Sequence, residues 1–258
     1  MERCLWDMVG KARVVTFIGA GGKTTCLSRL TEEISQAEKP VIATTTTKVY
    51  PLAFSSLWQN ADGFSPPKTG MPCFWYANLE AESGKWMGIP VDILDQAIQK
   101  EFGKSFWVIE GDGARERQLK CWASYEPQIP HLTESAVLVI DGRLWGKKLQ
   151  AREIHRPELY PHLIGEIWRP ELAWQYILTS PMFYSEYQKI SWSVLFNRWG
   201  DPGRRSSQDL GNDELRGLIK VGEEFLGREH LSDSHRPQHL RIASGNAKEG
   251  NLQWYDLW

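Results

Sequence analysis

The sequence lacks a long hydrophobic run and an excess of charge of one sign, and each absence excludes a class of protein. No apolar stretch approaches the roughly 18–20 residues that a membrane-spanning helix needs. The first ten residues include Glu2 and Asp7, unlike a secretory signal, so we expect a cytoplasmic protein with no membrane partner. Thirty Lys and Arg residues against 32 Asp and Glu residues give a net charge of −2, so we expect no nucleic-acid partner.

Cysteine is also scarce. Cys4, Cys26, Cys73 and Cys121 lie far apart and form no C-x-x-C pair. This spacing is unlike that of a disulfide scaffold or a zinc site, so we expect four reduced thiols.

Apolar runs alternate with helical patterns through much of the chain. The predicted strands cover 13–18, 41–43, 73–77, 105–109, 136–140, 191–196 and 239–243. The predicted helices cover 23–36, 90–102, 157–168, 170–179 and 214–226, and the polar segments 51–72 and 199–213 are predicted connections. Strands that alternate with helices favour a mostly parallel sheet with helices on both faces. We therefore predict an α/β fold of the P-loop NTPase type in a single domain, 1–258, in which 156–258 could form a smaller helical lobe.

The most specific motif is a glycine-rich loop between the first predicted strand and helix, Gly19-Ala20-Gly21-Gly22-Lys23-Thr24-Thr25. Small residues let backbone N–H groups surround phosphate oxygens, and the helix N-terminus adds a partial positive charge. Lys23 supplies a charge for the outer phosphates, and the hydroxyl of Thr24 suits Mg²⁺. The pattern therefore predicts a site for ATP or GTP with Mg²⁺, although a plain glycine turn before a helix is the simpler alternative.

The spacing of this loop differs from the common phosphate-binding motif. The pattern G-x-x-x-x-G-K-[ST] needs glycine at position 17, where Phe17 stands. The shorter G-x-G-G-K-T-T form resembles the ATP-binding loop of Mur-type ligases. A dinucleotide fingerprint is excluded, because its third glycine would fall on Thr24.

Two carboxylates follow the predicted strand at 105–109. Glu110 and Asp112 should lie at the same edge of the sheet as Lys23, because ligands bind at the carboxyl ends of parallel strands. One would bind Mg²⁺ with Thr24, and the other would orient the attacking group. An acidic loop without a catalytic role is the alternative.

Further polar residues at the same edge are candidates for binding substrate. They follow the second strand, the acidic motif and the segment before the predicted helix at 157–168. They are Thr46, Thr47, Lys48, Arg115, Lys120, His155 and Arg156. The threonines and Lys48 could line the γ-phosphate or a second substrate. The basic loop with Arg115 and Lys120 could receive an anionic second substrate, and His155 could be an acid or base or a ligand. Strand propensity explains the threonines equally well, and solvated basic loops or a structural histidine explain the others.

Five segments together resemble the YqeC-type family, which is described as selenium-dependent hydroxylase accessory proteins. They are VVTFIGAGGKTT (14–25), IATTTTK (42–48), EGDGA (110–114), LKCWASYEPQIP (119–130) and HRPE (155–158). The matched pattern includes Lys23, Thr24, Glu110, Asp112, Lys120, Glu126, His155 and Arg156. Three positions depart from it: Gly111 replaces a usual Ala, Gln118 a usual Pro and Tyr125 a usual His.

The resemblance implies a nucleotide-binding P-loop fold and a role in the maturation of molybdenum-containing hydroxylases. Together with the loop, it leads us to expect a Mg²⁺-dependent nucleotide hydrolase or transferase. Its partners would be a molybdenum hydroxylase or the proteins that assemble its cofactor. Two alternatives stay open: a non-catalytic, nucleotide-gated scaffold, and a Mur-like ligase that forms an acyl phosphate.

Overall fold

The computed structural model has a mixed α/β fold, and it describes residues 4–54, 56–59, 72–198, 208–228 and 236–258. Its helices are α1 Leu5–Met8, α2 Lys23–Gln36, α3 Val91–Lys100, α4 Pro170–Leu178 and α5 Gln208–Arg228. Its strands are β1 Val14–Gly19, β2 Val41–Thr45, β3 Leu57–Gln59, β4 Cys73–Tyr76, β5 Phe106–Glu110, β6 Leu119–Lys120, β7 Ser135–Asp141, β8 Ile154–His155, β9 Ser191–Asn197, β10 His239–Asn246 and β11 Asn251–Asp256.

Nine strands form one sheet in the order β11-β10-β9-β7-β1-β5-β2-β4-β3, and β6 and β8 form a separate parallel pair. Strand β11 runs antiparallel to β10, whereas the other neighbouring strands of the large sheet run parallel. The central strands are mostly apolar and are buried along their whole length, as expected for a parallel sheet covered on both faces.

Alternate residues of β1 divide the core between the two faces. Val15 and Phe17 pack in the same cluster as apolar residues of α1 and α2. Val14 packs in a cluster with residues of α3, and Ile18 in one with residues of α4 and α5. This period of two gives β1 helices on both faces, and because β1 ends at Gly19 the loop that follows lies at the carboxyl end of the strand.

The predicted α/β architecture with a mostly parallel sheet is confirmed, and the seven predicted strands and four of the five predicted helices are present. The helix predicted over 157–168 is wrong, because this segment forms two short 3₁₀ turns, Pro157–Leu159 and Pro161–Leu163. Pro161 has no N–H with which to continue an α-helix.

Two other expectations need correction. Residues 156–258 are not a helical lobe, because β9, β10 and β11 extend the large sheet. The connection predicted at 51–72 contains β3, an exposed edge strand. Of the connection predicted at 199–213, the part at 199–207 lies outside the described residues, and 208–213 belongs to α5.

The four cysteines form no disulfide, as expected. In the ranges given above, no helix has both the length and the apolarity that crossing a membrane requires.

Helices α4 and α5 pack closely at one glycine. The indole N–H of the buried Trp174 on α4 donates to the carbonyl of Leu218 on α5, with an N–O distance of 2.6 Å. A Cβ atom on Gly222 would lie 2.2 Å from Cζ2 of Trp174, so this contact requires glycine. Helix α4 also contacts β6, because the hydroxyl of Tyr176 donates to the carbonyl of Lys120 at 2.7 Å.

Two glycines of α5 should therefore respond to alanine with opposite signs. Gly222→Ala is expected to destabilise the protein by about 1–3 kcal/mol, because overpacking against Trp174 outweighs the better helix propensity. Gly217→Ala is the matched control: its Cβ would lie 3.7 Å from Cγ of Pro170, an ordinary contact. This variant should gain up to about 1 kcal/mol. Urea unfolding measures the stability of both variants. An equal gain in stability would contradict the close packing of Trp174 against Gly222.

Candidate functional site at the carboxyl edge of the sheet

A cavity of about 930 Å³ lies at the carboxyl ends of β1, β2, β5 and β7. Its volume is at the upper end of the range of about 300–1,000 Å³ that small-molecule sites span. Its walls combine backbone of the glycine-rich loop with charged side chains. An open parallel sheet binds ligands at this edge, so the cavity is the candidate functional site.

The glycine-rich loop is held in a conformation that needs glycine. Gly19, Gly21 and Gly22 have φ of 93°, 91° and 115°. A Cβ atom on Gly19 would lie 2.4 Å from the carbonyl oxygen of Val139, and one on Gly21 would lie 2.4 Å from the amide nitrogen of Asp141. The loop is thus pressed against the end of β7, where side chains of other residues would not fit.

Asn197, the last residue of β9, braces the same loop. Its side-chain amide donates to the carbonyl of Gly21 at 2.9 Å and accepts the backbone N–H of Ala247 at 3.1 Å. The side chain is fully buried, so both hydrogen bonds are shielded from water.

Helix α2 begins directly after Gly22 and has no side-chain cap. The N–H groups of a helix's first turn have no partner within the helix and carry the positive end of its dipole. Gly21, Gly22, Lys23, Thr24 and Thr25 all line the cavity. This wall suits an anion.

Lys23 is buried among acceptors. Its Nζ atom donates to the carbonyl of Gly19 at 2.6 Å and lies 3.2 Å from Oδ1 of Asp112 and 3.7 Å from Oε1 of Glu110. Burial alone would lower the pKa of Lys23, but the two carboxylates outweigh it and raise the pKa above its ordinary value. Lys23 therefore stays charged at neutral pH.

Glu110 faces the cavity beside the start of α2. Its Oε2 atom accepts the hydroxyl of Thr24 at 2.9 Å, so a carboxylate and a hydroxyl lie together at the cavity wall. Burial raises the pKa of Glu110 above its ordinary value, while Lys23 opposes this shift.

Asp112 lies behind Lys23 and does not line the cavity. Its carboxylate accepts the backbone N–H of Gly19 at 3.0 Å and the indole N–H of Trp122 at 2.7 Å. Nζ of the fully buried Lys120 lies 3.6 Å away. Asp112 therefore fixes both the loop backbone and the ammonium of Lys23.

The other candidate residues divide into two groups. Thr47, Lys48, Arg115 and His155 line the cavity, whereas Thr46, Lys120 and Arg156 do not. Gly19 and Ala20 do not line it either, and the N–H of Ala20 donates to the carbonyl of Val139 at 2.8 Å.

The residues away from the cavity have structural partners. The hydroxyl of Thr46 donates to the carbonyl of Gln128 at 3.0 Å, and Lys120 pairs with Glu126 at 2.8 Å. Arg156 donates to the hydroxyl of Tyr125 at 2.5 Å and lies 3.4 Å from Oε2 of Glu126. Tyr125 is thus a hydrogen-bond partner of Arg156.

Sequence reasoning missed several residues of the site. Asn197 acts through a hydrogen bond to Gly21, 176 positions away, and Trp122 through one to Asp112, and no local pattern signals either contact. Tyr50 and Lys85 line the cavity from segments without a motif. Asp141, which also lines it, ends a predicted strand, and the rule about carboxyl ends could have found it.

The fold and the cavity define a mixed α/β protein with a mostly parallel sheet and a charged cavity at the carboxyl ends of its central strands. A family model described as "YqeC protein" matches residues 15–158, more than half of the chain. The chain therefore belongs to the YqeC family.

One curated relative is the "Uncharacterized protein YqeC" of Escherichia coli (strain K12), with 28% identity over 161 residues. The match covers 59% of this chain and 60% of the relative, so this chain spans less than two thirds of the relative's length. No solved structure matches the chain.

His155 provides a test of the electrostatics at this edge. Burial, and then the charges of Lys120 and Arg156, lower its pKa to about 4. The imidazole should therefore stay neutral at pH 7, and its NMR titration should have its midpoint near pH 4. The unfolded chain binds this proton near pH 6.5, so the contribution of His155 to stability should fall as the pH drops from about 6.5 towards 4. Arg156→Gln should raise the midpoint, and a midpoint near 6.5 in the wild type would contradict the burial.

Proposed function

We propose that this protein binds ATP or GTP with Mg²⁺ at the glycine-rich loop and hydrolyses the nucleotide or transfers its phosphoryl group. One observation carries the proposal. An uncapped helix start, a glycine-dependent loop and a buried, charged lysine meet a carboxylate and a hydroxyl at one cavity. Backbone N–H groups and Lys23 would bind the phosphates, as in proteins with a P-loop of the NTPase type.

The residues at the cavity fit Mg²⁺ bound together with a nucleotide. Mg²⁺ prefers hard oxygen donors, and it is usually held by one or two protein groups together with phosphates and water. Thr24 and Glu110 offer such donors at the cavity wall. In the described ranges no three His, Cys, Asp or Glu residues gather as a metal site of their own. When bound, the ion would neutralise charge on the phosphates.

The remaining groups position the reaction. Lys23 balances negative charge on the outer phosphates, and Asp112 keeps Lys23 and the amide of Gly19 in place. Because Glu110 reaches the cavity and Asp112 does not, we assign the metal to Glu110 and a positioning role to Asp112. Thr47, Lys48, Arg115 and His155 lie where an acceptor would approach.

The biological setting follows from the resemblance to selenium-dependent hydroxylase accessory proteins. We assign the reaction to the maturation of a molybdenum-containing hydroxylase. The partners would be that hydroxylase or the proteins that assemble its cofactor.

A second candidate function is a nucleotide-gated scaffold. It is favoured by a series of ion pairs that connects the glycine-rich loop to the protein surface. Asp112 contacts both Lys23 and Lys120, Lys120 pairs with Glu126, and Glu126 lies beside the partly exposed Arg156. Displacement of Lys23 by phosphate would disturb this series of ion pairs as far as the surface. Release of phosphate from Mg-ATP or Mg-GTP separates the two candidates, since a scaffold would show little or no turnover.

Lys23→Ala should weaken nucleotide binding by about ten- to a hundredfold, because a charge-assisted hydrogen bond contributes roughly 1.5–3 kcal/mol. Calorimetric titration with ATP, GTP and CTP measures this loss and identifies the base. Lys39→Ala is the matched control, since it removes the same charge from an exposed position beyond the far end of α2. An unchanged dissociation constant in a folded Lys23→Ala protein would overturn the site assignment.

The two carboxylates should respond differently to neutralisation. Glu110→Gln is expected to leave nucleotide binding without Mg²⁺ unchanged and to abolish the increase in nucleotide affinity that Mg²⁺ gives. It should also lower Mg²⁺-dependent phosphate release at least tenfold. Asp112→Asn should weaken nucleotide binding to the same extent with and without Mg²⁺, because it loosens Lys23 and the loop.

Titrations with and without Mg²⁺ and a phosphate-release assay distinguish these effects, with Glu32→Gln on the exposed side of α2 as the control. Normal turnover in both variants would contradict the proposed roles.

A further inference from the structure

One wall of the cavity carries an aromatic ring that the nucleotide site does not use. Tyr50 is 54% exposed and lines the cavity with its neighbour Leu52. The ammonium of Lys85 lies 4.4 Å from the centroid of the Tyr50 ring. The ammonium covers one face of this ring, and the rest of Tyr50 is exposed beside a positive charge, which suits a molecule that is both flat and anionic.

This wall is fixed by backbone and aromatic contacts. Val49 and Trp86 exchange two backbone hydrogen bonds of 3.1 and 2.9 Å, which keep Tyr50 and Lys85 side by side. The buried Trp86 stacks on Tyr76, with ring centroids 4.7 Å apart. A rigid wall loses little entropy when a ligand binds.

A strained turn contributes an unpaired cation to the same cavity. Arg115 and Glu116 are consecutive non-glycine residues with φ of 47° and 60°. Such conformations cost about 1–3 kcal/mol each and cluster at functional sites. Across the described ranges, Arg115 has neither a hydrogen bond nor an ion pair, although it is exposed at the cavity. The neutral His155 also lines the cavity and adds a hydrogen-bonding group without charge.

The segment that carries this wall follows β2, next to Glu110 at the end of β5. Thr45 of β2 pairs with Glu110 of β5, and the chain continues from there through Thr47 to Tyr50. Gly113 lies close to this segment: a Cβ atom added to Gly113 would be 3.3 Å from Oγ1 of Thr47. Gln118 and Asp141 also line the cavity, whose volume of about 930 Å³ can hold a nucleotide and a second small molecule.

We infer that the cavity binds, beside the nucleotide phosphates, a second small molecule that combines a flat ring with an anionic group, held by Tyr50, Lys85 and Arg115. This inference rests on the proposed function, since it names the class of molecule that meets the nucleotide. The ring of this molecule packs against the part of Tyr50 that Lys85 leaves exposed, and its anionic group pairs with Arg115.

The test uses 1-naphthyl phosphate as the probe and the full chain saturated with Mg²⁺ and the non-hydrolysable imido analogue of the preferred nucleotide. Calorimetry should detect saturable binding of 1-naphthyl phosphate, and at least tenfold weaker binding of methyl phosphate and of 2-naphthylmethanol. Tyr50→Ala and Arg115→Ala should each weaken binding of the probe about tenfold. Tyr50→Phe should preserve it, because the ring remains.

Three results would overturn the inference. The probe could bind equally to the wild type, Tyr50→Ala and Arg115→Ala. Saturation with nucleotide could abolish its binding, which would place the probe on the phosphate loop. Tyr50→Ala could weaken nucleotide binding itself, which would make the ring a nucleobase contact.

The results that would contradict the proposed function differ from those that would overturn this inference. The proposed function fails if the wild type binds no Mg-nucleotide, or if Lys23→Ala leaves nucleotide binding unchanged. Titration of 1-naphthyl phosphate without nucleotide remains informative in that case, because Tyr50 and Arg115 lie outside the loop.

Discussion

The site depends on the buried ion pair between Lys23 and Asp112. Nζ of Lys23 lies 3.2 Å from Asp112, and the same carboxylate accepts the N–H of Gly19. One interaction therefore joins the end of β1, the start of α2 and the segment after β5. Breaking a buried pair by removing one partner costs about 3–5 kcal/mol, because the other charge stays uncompensated. The geometry of the loop and the charge state of its lysine are thus set together.

Much of this arrangement could be predicted from the sequence. The apolar runs, the glycines and the helix beginning at Lys23 are local patterns, and each defines its element without the rest of the fold. The approach of Glu110 and Asp112 to Lys23 also follows, since parallel strands end at the same edge of a sheet. That Asp112 would lie behind Lys23 does not follow, because it depends on Trp122 and Lys120.

What the sequence left undetermined depends on contacts between distant segments. The pattern of 157–168 is apolar enough for a helix, yet Pro161 prevents one. Asn197 braces Gly21 across 176 positions of sequence, and the exposed Tyr50 joins the cavity through the pairing of Val49 with Trp86. No local propensity encodes such pairs. Strand β11 shows the same limit, because it extends the large sheet without a distinct hydrophobic run of its own.

The buried charges also link the two ligands of the proposed function. Lys23 is shared among Gly19, Asp112 and Glu110, so a phosphate has to compete with carboxylates for its ammonium. A cation at Glu110 would neutralise one of these competitors and leave Lys23 freer to bind phosphate. Phosphate in turn would bring oxygen donors that complete the metal's coordination. Each ligand would therefore increase the affinity for the other by the same factor, as linkage requires.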